Sequence, residues 1–550
     1  MPNLYSLKDY PSRKALVENS MILGFALFTL LGILRHELWR DELQAWMLAR
    51  DNASIVELLT NMKYEGHPAL WHLCLYGLTQ ITHNPLAMQL FHWLIAIGVM
   101  WLIVKFSPFP ILHKLLLSFN YFFFFEYAVI SRGYSLGLFF LLLFCAIYDR
   151  EKPRPIYAAC ILVLAANTSA YGLLLSSSMA FFMFMDYVIS LRPRSYKAIA
   201  YIQGALILGM GWLISGGQII RAKWPTESDA ALMRPLTDFS VLQVNTVVDV
   251  QESFGLADFV KNIANAIAHV WDSYFPIPRL FNIHFWNHNI LTENYIYPSI
   301  GGISLGDYIA LLLSAIIFVV VVYLLASKPI ILWTYGFGNL ALFAFRVFVH
   351  ETTSVRHYGH FFIMFFLCCW LFLKLPATSG TSQVAGDGKR SRFLINYLMP
   401  VLFSVQAMSG IYAMSMDYLL PFSNSEETAA FLVSEGLQER FILGDNDKFV
   451  SVISGYLEVP VYYPEKQALA TYWTFEPPEL SEADLRESIE QQVQIHEEGI
   501  VVILSAPLSL SMMPGVEIRP LAQFTNSIVA DENYYVYVAQ KSDLNPLPRA

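Results

Sequence analysis

Two neighbouring carboxylates lie just beyond the first apolar segment of the chain. Asp41 and Glu42 follow Trp39-Arg40, shortly after the apolar run Met21–Leu34. A carboxylate in a cleft at the membrane edge is costly to desolvate, and a shifted pKa there suits a general base. The alternative is that both acids cap the start of an interfacial helix beside Arg40.

The same polar loop ends in Tyr64-Glu65-Gly66-His67-Pro68, which leads into a short apolar segment. Proline is ordinary at a helix start, because its missing N–H is not needed there. Glu65 and His67 are ligand types that bind divalent metals, and a protonated histidine can also bind a phosphate. The sequence leaves both possibilities open.

Two further polar stretches interrupt apolar segments. In Ser131-Arg132-Gly133-Tyr134, the planar guanidinium of Arg132 suits a phosphate, or else extends into lipid headgroups. The stretch from His350 to His360 holds three His, one Glu and one Arg. It is interpreted either as a phosphate or metal site or as a loop that faces headgroups.

The composition decides what kind of protein must position these residues. Of 550 residues, 55% are hydrophobic and 14% are charged, against about 25% charged in a soluble domain. This excludes a cytosolic globular enzyme and a disordered chain. From Asn424 to Ala550 the chain has 20 acidic and 7 basic residues, so an acidic tail follows a slightly basic body, which does not fit a nucleic-acid binder.

About eleven segments are apolar and long enough to be transmembrane helices. They are 18–34, 86–104, 109–127, 134–148, 156–173, 174–190, 198–219, 304–326, 329–349, 358–375 and 394–416. Segment 68–82 is shorter, and if it does not cross, the Lys/Arg clusters all face the cytoplasm, as the positive-inside rule expects. The N-terminus is then cytoplasmic, with a first helix that is retained rather than cleaved.

This topology predicts two domains. Residues 1–420 form the membrane domain, with outer loops 35–67 and 221–302, and residues 424–545 form an extracytoplasmic α/β domain. The tail alternates helix and strand patterns, for example a helix from Ser425 and a strand Ile500–Leu504, which is typical of a doubly wound sheet. It has neither a GxGxxG motif nor a P-loop, so it is expected to be a packing or partner-binding module.

Taken together, the motifs resemble the GT-C superfamily of integral-membrane glycosyltransferases, in particular the bacterial branch related to protein mannosyltransferases and the aminoarabinose transferase of lipid A. The matching motifs are Trp39-Arg40-Asp41-Glu42, Glu65-Gly66-His67-Pro68-Ala69-Leu70-Trp71 and Ser131-Arg132-Gly133-Tyr134-Ser135-Leu136. Their order carries the resemblance, which covers the first part of the chain. The tail lies outside it.

The resemblance implies transfer of a sugar from a polyprenyl-phosphate donor, on the extracytoplasmic side and usually with inversion. It places both Asp41 and Glu42 among the catalytic residues, with Asp41 as the general base and Glu42 beside it. Residues assigned to the donor phosphate are His67, Arg132, Tyr134, Arg356 and His357. No cofactor is certain, and candidate ligands for a divalent metal are Glu65, His67 and His350. As a cation, His67 would need protonation or metal assistance.

The expected location is the inner membrane of a bacterium, where the chain spans the bilayer several times and contacts membrane lipids. The acceptor is a lipid, a glycan or a protein, and no nucleic acid is involved. Aromatic residues such as Tyr121–Phe125 either line a groove for the prenyl chain or belong to the core. The alternatives to a transferase are a non-catalytic component of envelope polysaccharide assembly and a transporter of lipid-linked sugars.

Overall fold

The computed structural model describes residues 10–191, 198–221, 256–292, 297–300, 303–350, 353–375, 389–390, 392–473, 480–508, 513 and 515–542. Its α-helices, in chain order, are Tyr10–Ile33, Arg40–Arg50, Ile55–Asn61, Leu70–Thr79, Leu86–Phe106, Ile111–Leu117, Gly133–Ile147, Pro155–Ala166, Ala170–Asp186, Ala198–Arg221, Leu256–Ala268, Val270–Tyr274, Leu305–Leu325, Pro329–Phe348, Val355–Lys374, Met399–Leu419, Ser425–Ser434, Asp447–Leu457 and Glu482–Ile495. We number these helices α1 to α19.

Among the described residues, eight stretches of helix are long and apolar enough to cross a membrane. They are Arg13–Ile33, Leu86–Phe106, Ala170–Ile189, Ala198–Ile220, Leu305–Leu325, Pro329–Phe348, Val355–Lys374 and Leu394–Leu419. Two further apolar helices, α7 and α8, are shorter. The chain therefore has the helices of a multi-pass membrane protein, as its composition predicts.

Segment 109–127, predicted to be one span, is instead broken. It contains the short helix α6 and a π-helical turn, Tyr121–Glu126. The break lies at Asn120, whose side-chain oxygen accepts the backbone N–H groups of Phe122 and Phe123 and so begins a new turn. A hydropathy profile does not detect this cap, because the residues on either side of Asn120, Phe119 and Tyr121, are aromatic.

Segment 156–173 is shorter than predicted, whereas segment 68–82 is a short helix, as predicted. The predicted span 156–173 ends at Ala166, because Ser169 caps the next helix, α9. Segment 68–82 forms α4, which has 10 residues and rises about 15 Å, half the thickness of a bilayer core. The number of eleven spans stays a prediction.

The core of the membrane domain surrounds α15. In the 18-residue apolar stretch of α15, 89% of the residues are buried, compared with 28% in that of α13. The ring of Phe122 stacks on Phe362 at 5.7 Å, and Phe123 meets Phe366 edge-on at 5.1 Å. The aromatic run Tyr121–Phe125 therefore belongs to the protein core, the second of its two interpretations.

A glycine lets α16 approach the Asn120 turn. A Cβ atom built on Gly410 would clash with the backbone oxygen of Phe119, so we expect Gly410→Ala to lower the free energy of unfolding by about 1–3 kcal/mol. Denaturation in mixed micelles, followed by tryptophan fluorescence, measures this. Gly209→Ala is the matched control, because that helical position has open space around it. Equal stabilities of the two variants would contradict the prediction.

The tail folds around a six-stranded sheet. The strands are β1 Ser299–Ile300 and β2 Ile303–Ser304, a separate hairpin, then β3 Ile442–Asp445, β4 Val461–Tyr463, β5 Ala468–Ala470, β6 Ile500–Leu504, β7 Val516–Phe524 and β8 Tyr534–Lys541. The last six form the sheet, in the order β5-β4-β3-β6-β8-β7. Helices cover both faces, with Leu432 and Val450 packing on one and Ile489 on the other.

This sheet is mixed rather than doubly wound. Only β4, β3 and β6 are parallel, and β8, β7 and β5 run antiparallel to their neighbours. The sequence predicted one of the parallel strands, β6, from its continuous apolar run Ile500–Leu504, which is typical of a strand buried on both faces. It missed β7 and β5, whose residues are mostly half-buried or exposed.

The acidic domain, which is the tail from Asn424 onward, packs on α2, the helix that carries Asp41 and Glu42. The Leu38 backbone N–H donates to the Tyr456 hydroxyl at 2.9 Å. Arg40 pairs with Asp531 at 2.8 Å, and its backbone N–H donates to Glu532 at 3.0 Å. The start of α2 is therefore held from outside the membrane domain.

Candidate active site

Segments that are far apart in sequence meet around one polar cavity of about 340 Å³. It lies where the N-terminal ends of α2, α7 and α15 converge with the loop that precedes α4. Eight of the nine predicted site residues line it: Asp41, Glu65, His67, Arg132, Tyr134, His350, Arg356 and His357. Helix N-termini favour anions, because their first backbone N–H groups have no intrahelical partner.

Asp41 lies between two guanidinium groups. Its Oδ2 atom is 3.0 Å from Nη1 of Arg132 and 3.1 Å from Nη2 of Arg356. The three side chains are only 13–20% exposed. Both arginines therefore share one carboxylate oxygen at the cavity wall.

Arg132 is also fixed by the backbone of α2. Its Nη1 atom donates to the Asp41 carbonyl at 2.8 Å, and its Nη2 lies 3.4 Å from Nε2 of His67. The guanidinium carbon lies 5.8 Å from the centre of the Tyr134 ring. Arg132 thus points into the protein and the cavity rather than into lipid headgroups.

Two tryptophans flank Arg356. Its guanidinium lies 4.8 Å from the ring of Trp39 and 5.4 Å from that of Trp286, and the two rings meet edge-on. Cation–π contacts of this kind hold a cation while leaving its in-plane N–H groups available. Among the described residues, the buried Nε and Nη1 atoms of Arg356 have no hydrogen-bond partner.

The charges around Asp41 decide its protonation. Burial alone would raise its pKa, but the guanidiniums of Arg132, Arg356 and Arg40 outweigh burial and lower the pKa to about 2. Burial raises the pKa of Glu65, whose Oε1 accepts from Gln44 at 2.9 Å. Asp41 is therefore ionised at pH 7, and it takes up a proton less readily than a carboxylate in water does.

His67 does not carry the charge that binding a phosphate as a cation requires. Burial, and then the charge of Arg132, lowers its pKa to about 3, so its imidazole is neutral at pH 7. Protonation, one of the two conditions named for His67 to act as a cation, is therefore not met in this cavity. His67 lies at the cavity wall, where a neutral ring can accept from Arg132 or donate one N–H to a ligand.

Tyr134 and His357 form the inner wall. The Tyr134 hydroxyl lies 3.2 Å from Nε2 of His357, and Tyr171 stacks on His357 and His360 at 5.4 and 4.2 Å. These contacts hold the ring of His357 in place, and Arg356 precedes it on α15, the most buried of the eight candidate spans.

Glu42 is placed differently from Asp41. It does not line the cavity, and it is fully buried. Its Oε2 atom lies 3.0 Å from Nε2 of His36, whose Nδ1 lies 3.0 Å from Asp417. Its other oxygen accepts the backbone N–H of Ser131. Successive helical residues point about 100° apart, so Asp41 faces the cavity and Glu42 faces the core.

Glu42 also accepts the Trp39 backbone N–H, at 3.4 Å, as the helix-capping alternative for the two acids proposes. With both oxygens engaged, Glu42 ties together α2, the turn before Arg132 and the end of α16. This geometry is that of a positioning residue, and the catalytic part that the resemblance gives Glu42 stays a prediction.

The candidate metal ligands do not form a metal site in the part of the chain that the structure describes. There, no group of three or more His, Cys, Asp or Glu side chains is arranged to hold a metal ion. Glu65 and His67 line the cavity together with His350, but Glu65 is hydrogen-bonded to Gln44 and His67 lies against Arg132. These three residues are part of the wall of the polar cavity.

An apolar cavity of about 410 Å³ lies among α12, α13, α14 and α15. Tyr274, Phe318, Tyr335 and Phe361 are among its lining residues. Phe361 is one helical turn beyond His357, a residue of the polar cavity, so both lie on the same face of α15. A polar site and an apolar one are therefore neighbours along one buried helix.

Four residues of this arrangement were missed by the sequence analysis: His36, Trp286, Asp417 and Glu532. Asp417 is the one with a visible signal, since it is an acid within an apolar helix. Trp286 falls in the predicted outer loop 221–302, of which 222–255, 293–296 and 301–302 lie outside the described residues. Nothing in the local sequence pairs His36 with a residue 381 positions away.

No family model, curated protein or solved structure matches the chain. What the cavity does must therefore be argued from its own geometry and charge.

Proposed function

We propose that the chain is a glycosyltransferase of GT-C type, which moves a sugar from a polyprenyl-phosphate donor to an acceptor hydroxyl at the outer face of the membrane. One observation carries the proposal: a carboxylate, Asp41, lies against two guanidiniums, Arg132 and Arg356, in a polar cavity. The guanidiniums suit a phosphate leaving group, and the carboxylate suits a base for the acceptor.

The chemistry asks for both groups in one place. When the glycosidic bond to phosphate breaks, negative charge grows on the phosphate, and fixed cations in a dry site stabilise it. The acceptor oxygen must lose its proton as it attacks the sugar carbon, and Asp41 receives that proton. Arg356 has two buried donor nitrogens, Nε and Nη1, without a partner among the described residues, and an anionic ligand would satisfy them.

The donor's lipid chain needs an apolar site near its phosphate. The cavity that includes Tyr274 and Phe361 supplies apolar walls one turn of α15 away from His357. Outside the inner membrane there is no supply of nucleotide sugars, so an activated sugar has to arrive on a lipid. The expected acceptor is a hydroxyl of a lipid, a glycan or a protein.

We propose the orientation predicted from charge, with about eleven spans in a bacterial inner membrane and the acidic domain outside. Lysines collect at the helix ends away from the cavity. Lys105 pairs with Glu18 at 3.2 Å, and Lys328 and Lys374 donate to carbonyls at helix ends. Because basic residues prefer the cytoplasmic side, this distribution supports a cavity on the outer side.

Sugar release from a panel of polyprenyl-phosphate sugars tests the proposal. Purified full-length protein in nanodiscs is incubated with each donor, and binding and hydrolysis are measured in parallel. We expect one donor to bind and to be slowly hydrolysed. If no donor binds, the non-catalytic assembly component becomes the better description. In sealed proteoliposomes, movement of the intact lipid-linked sugar from one leaflet to the other, without release of the sugar, would instead indicate a transporter.

Arg356→Gln should weaken donor binding by about tenfold or more, since it removes charge-assisted hydrogen bonds to the phosphate. Equilibrium binding of the donor identified by the panel measures the effect. Arg440→Gln is the matched control, because Arg440 is on the acidic domain and outside the cavity. Unchanged affinity of a folded Arg356→Gln protein would place the phosphate elsewhere.

A further inference from the structure

The contacts of Asp41 do not suit its proposed role as general base. A general base works best when its pKa is near the working pH. Yet the same oxygen of Asp41 accepts from both Arg132 and Arg356, and a carboxylate held by two cations binds a proton poorly. The cavity residues must therefore rearrange before Asp41 can act as the base.

The two guanidiniums are the ones that the donor phosphate would use. Arg356 uses one terminal nitrogen for Asp41, while its buried Nε and Nη1 have no partner among the described residues. A planar guanidinium binds a phosphate best through two parallel N–H donors, which a single bond to a carboxylate does not use. A phosphate in this cavity therefore competes with Asp41 for Arg356, and it binds the guanidinium more strongly because it can accept two parallel hydrogen bonds.

Arg132 can change ligand without leaving its place. Its Nη1 is shared between Oδ2 of Asp41 and the carbonyl of the same residue, at 3.0 and 2.8 Å. The bond to the carbonyl persists if the carboxylate turns away, so α2 and Arg132 stay in register. Trp39 and Trp286 likewise hold Arg356 through its π-face rather than through its N–H groups.

We infer that Asp41 and the donor phosphate are alternative ligands of Arg132 and Arg356, so that binding of the donor frees the Asp41 carboxylate to act as the base. The inference rests on the proposed function and adds an order of events to it. Donor binding comes first and draws both guanidiniums to the phosphate. Asp41 then regains basicity, takes the proton of the acceptor hydroxyl, and the new bond forms as the sugar leaves the phosphate.

The exchange makes a prediction opposite to that of a fixed scaffold. If Asp41 competes with phosphate, removing its charge strengthens phosphate binding, and we expect Asp41→Asn to bind farnesyl phosphate about tenfold more tightly than the wild type, the equivalent of one charge-assisted hydrogen bond. If Asp41 merely positions the arginines, the same change weakens binding. Farnesol is the probe without phosphate, and Asp531→Asn is the matched control at an arginine outside the cavity.

Titration calorimetry on full-length protein in nanodiscs gives three distinguishable outcomes. Tighter binding of farnesyl phosphate to Asp41→Asn, with Asp531→Asn unchanged, supports the exchange. Equal or weaker binding overturns the exchange but leaves the phosphate site, and with it the proposed function, in place. If the wild type does not prefer farnesyl phosphate over farnesol, both the exchange and the proposed function fail.

A second measurement uses only the wild type, so it tests the exchange even if the Asp41→Asn protein does not fold. Infrared difference spectra of wild-type protein with ¹³C-labelled aspartate report carboxylate stretching bands before and after farnesyl phosphate is added. Asp41 is the aspartate among the lining residues of the cavity, so a shifted aspartate band is expected on binding. Binding without any change in these bands overturns the exchange.

Discussion

Asp41→Asn is expected to lower the rate of sugar release from the donor by about 10²–10⁴-fold, the usual contribution of a positioned general base. The amide is nearly isosteric with the carboxylate and can still accept a hydrogen bond from Arg132 or Arg356, but it cannot take up the proton of the attacking hydroxyl. The effect should lie in kcat, since the proton moves in the chemical step.

Initial rates at saturating donor, compared with single-turnover rates, measure this effect. The matched control is again Asp531→Asn, which changes an aspartate–arginine pair, Asp531 with Arg40 at 2.8 Å, outside the lining of the cavity. Its rate should stay close to that of the wild type. A folded Asp41→Asn protein that releases sugar at the wild-type rate would remove Asp41 from the chemistry, and the base would have to be sought elsewhere.

The second large effect is expected at His36, which lies between two buried carboxylates. Its ring nitrogens are 3.0 Å from Glu42 and 3.0 Å from Asp417, and all three side chains are almost completely buried. Burial disfavours a charged imidazole, but both carboxylates outweigh burial and raise the pKa of His36 well above its usual value. Both nitrogens can then donate, as two acceptors require.

His36→Ala should lower the free energy of unfolding by about 3–5 kcal/mol, because it leaves two buried carboxylates without their cation. Denaturation in mixed micelles measures the loss. His83→Ala is the control, since that side chain is 62% exposed. A loss below about 1 kcal/mol, typical of a surface pair, would show that the His36 cluster does not hold the fold together.

A double-mutant cycle separates this cluster from simple packing. If the cost of His36→Ala comes from unpaired carboxylates, it should shrink when Asp417→Asn is already present, because one carboxylate is then neutral. A coupling above roughly 0.5 kcal/mol would indicate direct interaction. Additive losses would instead assign the cost to the cavity left by the imidazole.

The sequence by itself determined the class of the protein and the composition of its site. Charged residues are scarce and the apolar runs are long, which is typical of helices that cross a membrane and pair their own backbone groups. The acidic tail could be recognised as an α/β domain because continuous apolar strands alternate with amphipathic helices. Polar residues in so apolar a chain are costly, so the few that occur at helix starts, such as Asp41 and Arg132, indicated where chemistry could occur.

Only the tertiary structure decided where each of those side chains points and which partners it meets. Asp41 and Glu42 are adjacent and chemically alike, but the turn of one helix directs the first toward Arg132 and the second toward His36. Arg356 reaches Asp41 across 315 positions, a pairing that no local pattern encodes. Whether His67 is charged depends on burial and on its distance from Arg132. Charge and direction are properties of the surroundings in space, and the order of residues along the chain does not specify them until helices have packed.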